Sequence, residues 1–155
     1  MSSFWRNWLT IWGWGVVVFG LALAGAGFAA TDGVATAVLG AMGPAPFTFD
    51  APLRFAVGLM GAVTMGWGLT LLAFFRLAET AADQASAWRM ALAGVAVWYV
   101  IDCAISIATG FTLNAVSNTA LLILLLIPIL GSRVLSADRS PLAELHAART
   151  AQDRT

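Results

Sequence analysis

The chain has 155 residues, of which 60% are hydrophobic and only 10% charged, and its mean hydropathy is +0.85. A soluble domain has roughly a quarter of its residues charged, so this composition excludes a water-covered globule and points to one helical membrane bundle. Lysine is absent; eight basic residues, all arginine, balance eight acids, which leaves no basic footprint for nucleic acid.

A membrane span needs about 20 mostly apolar residues to cross roughly 30 Å of hydrocarbon. Four stretches qualify, at about 9–30, 52–75, 88–109 and 113–130. They predict an all-α bundle of four transmembrane helices over 1–135, followed by a polar tail at 136–155. The first stretch follows Arg6 as a secretory signal would. Its apolar run is longer than a signal core, and it carries Trp8, Trp12 and Trp14, so it is read as a span.

Trp5, Trp8 and Trp12 recur on one helical face and, with Trp88 at the start of the third span, are expected in the interfacial belt. The sharper reading is stacking against a pigment or quinone. Gly13, Gly20, Ala24 and Gly27 give the first span a small-residue face, which usually means helix–helix contact within the bundle or with another subunit.

Residues 31–51 form the one long loop between spans. Gly40 to Pro46 reads as turn chemistry rather than a long helix. Its apolar residues, Val38, Leu39, Met42, Phe47 and Phe49, should lie against the membrane or a partner. Asp50 before Pro52 reads as the cap of the second helix, and Ser86 as the cap of the third. Arg54, Gly58, Gly61, Met65 and Gly68 share one face of the second span, where the glycines predict close packing.

The third span holds the one deep charge, Asp102, roughly 12 Å by helix rise from Gly110 and roughly 21 Å from Trp88. A charge at the helix centre costs about 2.5–3.5 kcal/mol on insertion scales, so it should face a partner or a cavity. Tyr99, Asp102, Ser106 and Thr109 make one polar stripe, and Asn114, Ser117 and Asn118 open the fourth span at the same level. The expected arrangement is a polar cluster built on an Arg54–Asp102 pair, either locking helix register or forming an outward vestibule. Pro128 predicts a kink or early stop near the end of the fourth span, and Ser140-Pro141 a short surface helix in the tail.

Orientation follows from arginine. Arg6, Arg76, Arg89, Arg133, Arg139, Arg149 and Arg154 lie on one side and only Arg54 on the other, which places both termini and the second loop in the cytoplasm.

What is missing narrows the chemistry. His146 is the only histidine and lies in the tail, so neither bis-histidine haem nor histidine-ligated chlorophyll has its ligands inside the membrane. Cys103 alone holds neither zinc nor an iron–sulfur cluster, and reads as a buried, inert thiol. No nucleophile elbow, phosphate loop or close carboxylate pair inside the bilayer is present, so no catalytic residue is assigned and an enzyme is not expected. Carotenoid, quinone and lipid remain as candidate ligands.

The Arg54-Phe-Ala-Val-Gly-Leu-Met-Gly61 opening of the second span and the Trp98-Tyr-Val-Ile-Asp102 segment of the third resemble small four-helix bacterial inner-membrane proteins of the DoxX-like kind. The resemblance covers most of 5–133. It implies a compact bundle in the bacterial inner membrane, sometimes attached to a quinol-oxidising complex, and assigns no site residues. The leading functional expectation is a non-enzymatic accessory subunit packing against a larger respiratory or photosynthetic complex, or against itself as a homo-oligomer. The alternatives are a small oligomeric transporter using Asp102, and a lipid-, quinone- or carotenoid-binding protein.

Overall fold

A computed structural model describes residues 1–43 and 46–136; the expected tail helix at Ser140-Pro141 and His146 lie outside them. Among the described residues the chain folds as five α-helices without a strand: α1 (Ser3–Ala24), α2 (Gly33–Met42), α3 (Ala51–Thr80), α4 (Gln84–Ala108) and α5 (Thr112–Gly131). Four of them, α1, α3, α4 and α5, are long and apolar enough to cross a membrane, as a multi-pass membrane protein requires.

Local chemistry sets the helix ends and moves several of them from the expected positions. Helix α1 starts at Ser3 rather than near Leu9, because the Ser2 hydroxyl accepts the Trp5 N–H. It stops at Ala24, short of residue 30, where Gly25–Gly27 tighten into a 3₁₀ turn and the Thr31 hydroxyl donates to the Gly25 carbonyl at 2.8 Å. Asp50 caps α3 as expected, its carboxylate accepting the Leu53 N–H at 2.8 Å. The cap of α4 is Asp83, not Ser86: the Asp83 carboxylate accepts the Ser86 N–H at 2.9 Å. Helix α3 continues past Phe75 to Thr80, which brings Glu79 within 3.6 Å of Arg6.

The loop at 31–51 is also corrected. Gly33–Met42 is a helix, and a side-chain carbon added at Gly40 within it would meet nothing within 4 Å. Ala35, Val38, Leu39 and Met42 recur at helical spacing and face inward, and packing overrides the weak propensity of glycine. Ala35 is fully buried and packs with Leu23, Ala26 and Val57 on the bundle itself. The apolar loop residues are therefore partly spent inside this chain.

The long helices form a ring in the order α1, α3, α4, α5, and the diagonal pairs do not meet. α1 and α3 pack backbone to backbone. A methyl group added at Gly61 would run into the Ala24 N and Gly20 O atoms, and one at Gly20 into Met65 and the Gly61 carbonyl. Gly68 faces Val17, and Gly58 faces Gly27. This is the close approach expected of small-residue faces. α4 and α5 instead turn tightly at Gly110, whose φ of 83° suits glycine. There the Phe111 N–H bonds the Ser106 carbonyl at 2.8 Å and the Gly110 N–H bonds Ile107 at 3.2 Å, the paired bonds of a Schellman cap.

The core lies towards the end of the bundle where the chain begins and Ser136 lies. Leu9, Trp12, Phe75, Trp88, Leu125 and Ile129 fill it. Trp12 and Trp88, expected at the interface, are 8% and 0% exposed; their large rings bridge helices, Trp88 stacking on Phe75 at 5.5 Å. Trp5 is half-buried over Gly131. Trp8 has a more specific task. Pro128 offers no N–H to the Leu124 carbonyl four residues back, and the Trp8 indole donates to that oxygen at 2.9 Å. With its orphaned acceptor satisfied, α5 continues through Pro128 to Gly131 instead of stopping there.

Candidate functional site: a cavity within the bundle

Beyond the aromatic core the four long helices enclose a cavity of about 690 Å³. Trp12, Trp67 and Trp98 form its floor, with Trp67 and Trp98 rings 5.1 Å apart. Val16, Phe19 and Leu23 of α1 and Met60, Val63 and Thr64 of α3 line one side. Val38, Leu39 and Met42 of α2, with Phe111, also line it at the end remote from the termini. The opposite wall is polar, and it belongs to α4 and α5.

That wall is built around one carboxylate oxygen. Asp102 Oδ1 accepts from Asn118 Nδ2 at 2.6 Å, Asn114 Nδ2 at 2.9 Å and Ser106 Oγ at 3.2 Å. Asn114 Nδ2 also donates to Ser106 Oγ at 2.9 Å, closing the network. The spacing of Asp102 and Ser106 on α4, and of Asn114 and Asn118 on α5, puts each pair on one face. The glycine turn at residue 110 then brings the two faces together. Ser106 and Asn118 are buried, so each needs its partner. Asp102 Oδ2 accepts no hydrogen bond among the described residues, and it is not sealed off within the protein.

The expected stripe is thus partly assembled. Asp102, Ser106, Asn114 and Asn118 converge. Thr109 lines the cavity, but its hydroxyl donates to the Ile105 carbonyl at 2.8 Å. Ser117 also lines it and returns its hydroxyl to Leu113 at 3.0 Å. Tyr99 is hydrogen-bonded to Thr119 at 3.0 Å and is not a cavity residue. Cys103 is half-buried, its sulfur 3.9 Å from the Ala115 carbonyl.

Arg54 does not pair with Asp102. It lies 2.7 Å from Asp32, donates to the Ala26 carbonyl at 3.2 Å, and stands over the Phe49 ring. The reason is the glycine face itself. Because Gly58, Gly61 and Gly68 pack against α1, an arginine on the same face is delivered to the segment that follows α1, where Asp32 waits. Asp32 and Trp67 are residues sequence reasoning passed over, and Trp98 entered it only within the segment that carries the family resemblance, not as a cavity residue. The shared face of Arg54 with the glycines was the available signal for the first. The tryptophans, lying inside spans rather than at their ends, gave one for the other two.

Comparison with protein-family models, curated proteins and solved structures finds no match to this chain. Among the described residues no cluster of three or more histidine, cysteine or acidic side chains could hold a metal ion.

Proposed function

We propose that this multi-pass membrane protein binds a lipid-like small molecule inside its bundle, with Asp102 as the polar anchor. The carrying observation is the cavity: about 690 Å³, apolar on most sides, with convergent polar groups on one wall. Ligand pockets have about 300–1,000 Å³ and this same mix of apolar lining and few polar groups. Lipid, quinone and carotenoid fragments are all of suitable size. The arginine bias supports cytoplasmic termini, and with them an outer-half cavity, in a bacterial inner membrane of the DoxX-like setting.

The accessory-subunit reading draws less support. Of the surfaces it would use, the glycine faces at Gly20, Gly58, Gly61 and Gly68 are occupied by α1–α3 packing within the chain, and Ala35 of the apolar loop is buried in the bundle. A transporter would need the same cavity as its binding station, so binding is the step to test first.

The test uses Gly15, which lines the cavity and has no atom within 4 Å of an added side-chain carbon. Gly15→Leu adds an apolar side chain at the cavity wall, its first carbon entering open space. Native mass spectrometry of gently purified wild-type protein should find a retained small molecule. Occupancy in Gly15→Leu should fall by roughly tenfold, with the helical circular dichroism unchanged. Equal occupancy in both proteins, or none in either, overturns the proposal.

A further inference from the structure

We propose that the ligand is a cation: a membrane-dissolved amphiphile carrying a protonated amine or quaternary ammonium group, held at Asp102 Oδ2 with its hydrocarbon body over the tryptophans. This inference rests on the binding function proposed above.

Every hydrogen-bond partner of Asp102 in the wall is neutral, and all three converge on Oδ1. They solvate the carboxylate without neutralising it. The countercharge a membrane-buried carboxylate would ordinarily recruit is absent: no arginine among the described residues lines the cavity. Arg54 is occupied by Asp32, Ala26 and Phe49 on another face of α3. A charged group in hydrocarbon seeks an opposite charge or water. Here the protein supplies three donors to one oxygen and, among the described residues, none to the other, at a cavity whose remaining walls are apolar except for the Thr64 hydroxyl. A neutral hydroxyl would satisfy Oδ2 but leave the charge uncompensated. An ammonium does both.

The surroundings fit the rest of such a molecule. Trp98 precedes Asp102 by one helical turn and lies on the same face, so an ammonium at the carboxylate has an indole beside it. Indole faces attract cations, the more so in dry surroundings. Trp67 and Trp12 continue the aromatic floor, at 5.1 Å from Trp98 and 6.5 Å from Trp67 respectively, and accept a hydrocarbon chain.

The route in points to the membrane as the source. Met60 and Val63 on α3 and Ile105 on α4 line the cavity, yet they are 46%, 63% and 59% exposed. They form an apolar lip on the α3–α4 side of the ring, away from the Trp67–Trp98 contact that closes it below. A lip of this character admits molecules dissolved in hydrocarbon. Thr64, beside Val63, and Thr109, one turn from Ile105, also line the cavity, and both are neutral hydroxyls that offer a small hydrophilic cation no charge.

The experiment uses three probes of one chain length, decyltrimethylammonium, decanol and decyl sulfate. Each is titrated against the full-length protein in maltoside micelles with tryptophan fluorescence as readout, and Gly15→Leu supplies the baseline for micelle partitioning. The cation should act at roughly tenfold lower concentration than decanol, and decyl sulfate should not differ from baseline. Asp102→Asn, which keeps an acceptor for Asn114 and Asn118, should bring the cation to the decanol level and leave decanol unchanged. If cation and alcohol bind alike in the wild type, or if Asp102→Asn leaves the cation preference intact, the cationic assignment is wrong while the binding function stands. If no probe differs from the Gly15→Leu baseline, the binding function falls and the assignment with it. Should Asp102→Asn fail to fold, the wild-type ranking of cation against sulfate decides alone.

Discussion

The two helix pairs of this bundle are held by opposite means. α1 and α3 meet through glycines, so closely that backbone atoms take the place of side chains. α4 and α5 meet through a polar network and a tight turn, with asparagine, serine and aspartate side chains between them. In lipid the hydrophobic effect gives little reason for helices to associate, so contact must come from close packing or from hydrogen bonds. This chain uses one device for each pair. The consequence is functional: the glycine-packed seam brings two backbones together, whereas the polar pair holds its side chains at the edge of a cavity.

Substitutions aimed at one pair or the other test this division. The largest effect is expected at Gly61. An added methyl group must displace backbone atoms of Gly20 and Ala24, and overpacking of this kind costs about 1–3 kcal/mol. Gly61→Ala should therefore sit near the top of that range in unfolding measured in mixed micelles. Because α1 carries Trp8 and Trp12 against α5, the loss should extend to the whole bundle. A cost under a few tenths of a kcal/mol would mean that the two helices are not in backbone contact.

The α4–α5 pair should respond next. Gly110→Ala forces a side chain into the left-handed region at φ 83°, at a cost of about 1–2 kcal/mol. Loosening the turn should weaken the Asp102–Asn118 contact, and so reduce ligand occupancy, while α1–α3 packing survives. Cross-linking of cysteines placed along the α1–α3 seam would check that separation. Equal loosening of both seams would merge the two pairs into one cooperative unit.

The smallest effect concerns the bond between the pairs. Trp8→Phe removes the donor to the Leu124 carbonyl and should cost about 1 kcal/mol. In a Pro128→Ala background residue 128 regains its N–H, the carbonyl recovers a helical partner, and Trp8→Phe should become nearly neutral. A double-mutant cycle on thermal unfolding reads this coupling directly. Additive effects would show that Trp8 contributes by packing alone.

Much of this was readable in the residues. The four long apolar stretches, the Asp50 cap, the glycine face of α3 and the polar stripe of α4 all follow from periodicity and propensity. Helix α2 was obscured because glycines and prolines cluster at its end, and nothing local says that Ala35 will be buried. Trp12 and Trp88 stand at span ends, where a belt is the general rule. Only the space left between neighbouring helices turned them inward.

Composition and periodicity make the chain helical, set its four long apolar stretches, and require Asp102 to find partners among the polar residues at its level. Spacing within a helix settles which residues share a face. It does not settle which helix that face meets. The tertiary structure decided that the face of Arg54 meets α1 and that of Asp102 meets α5, because the glycines demand the closest neighbour and the turn at Gly110 fixes the other. It thereby separated the two charges and left a carboxylate oxygen free at the edge of a cavity.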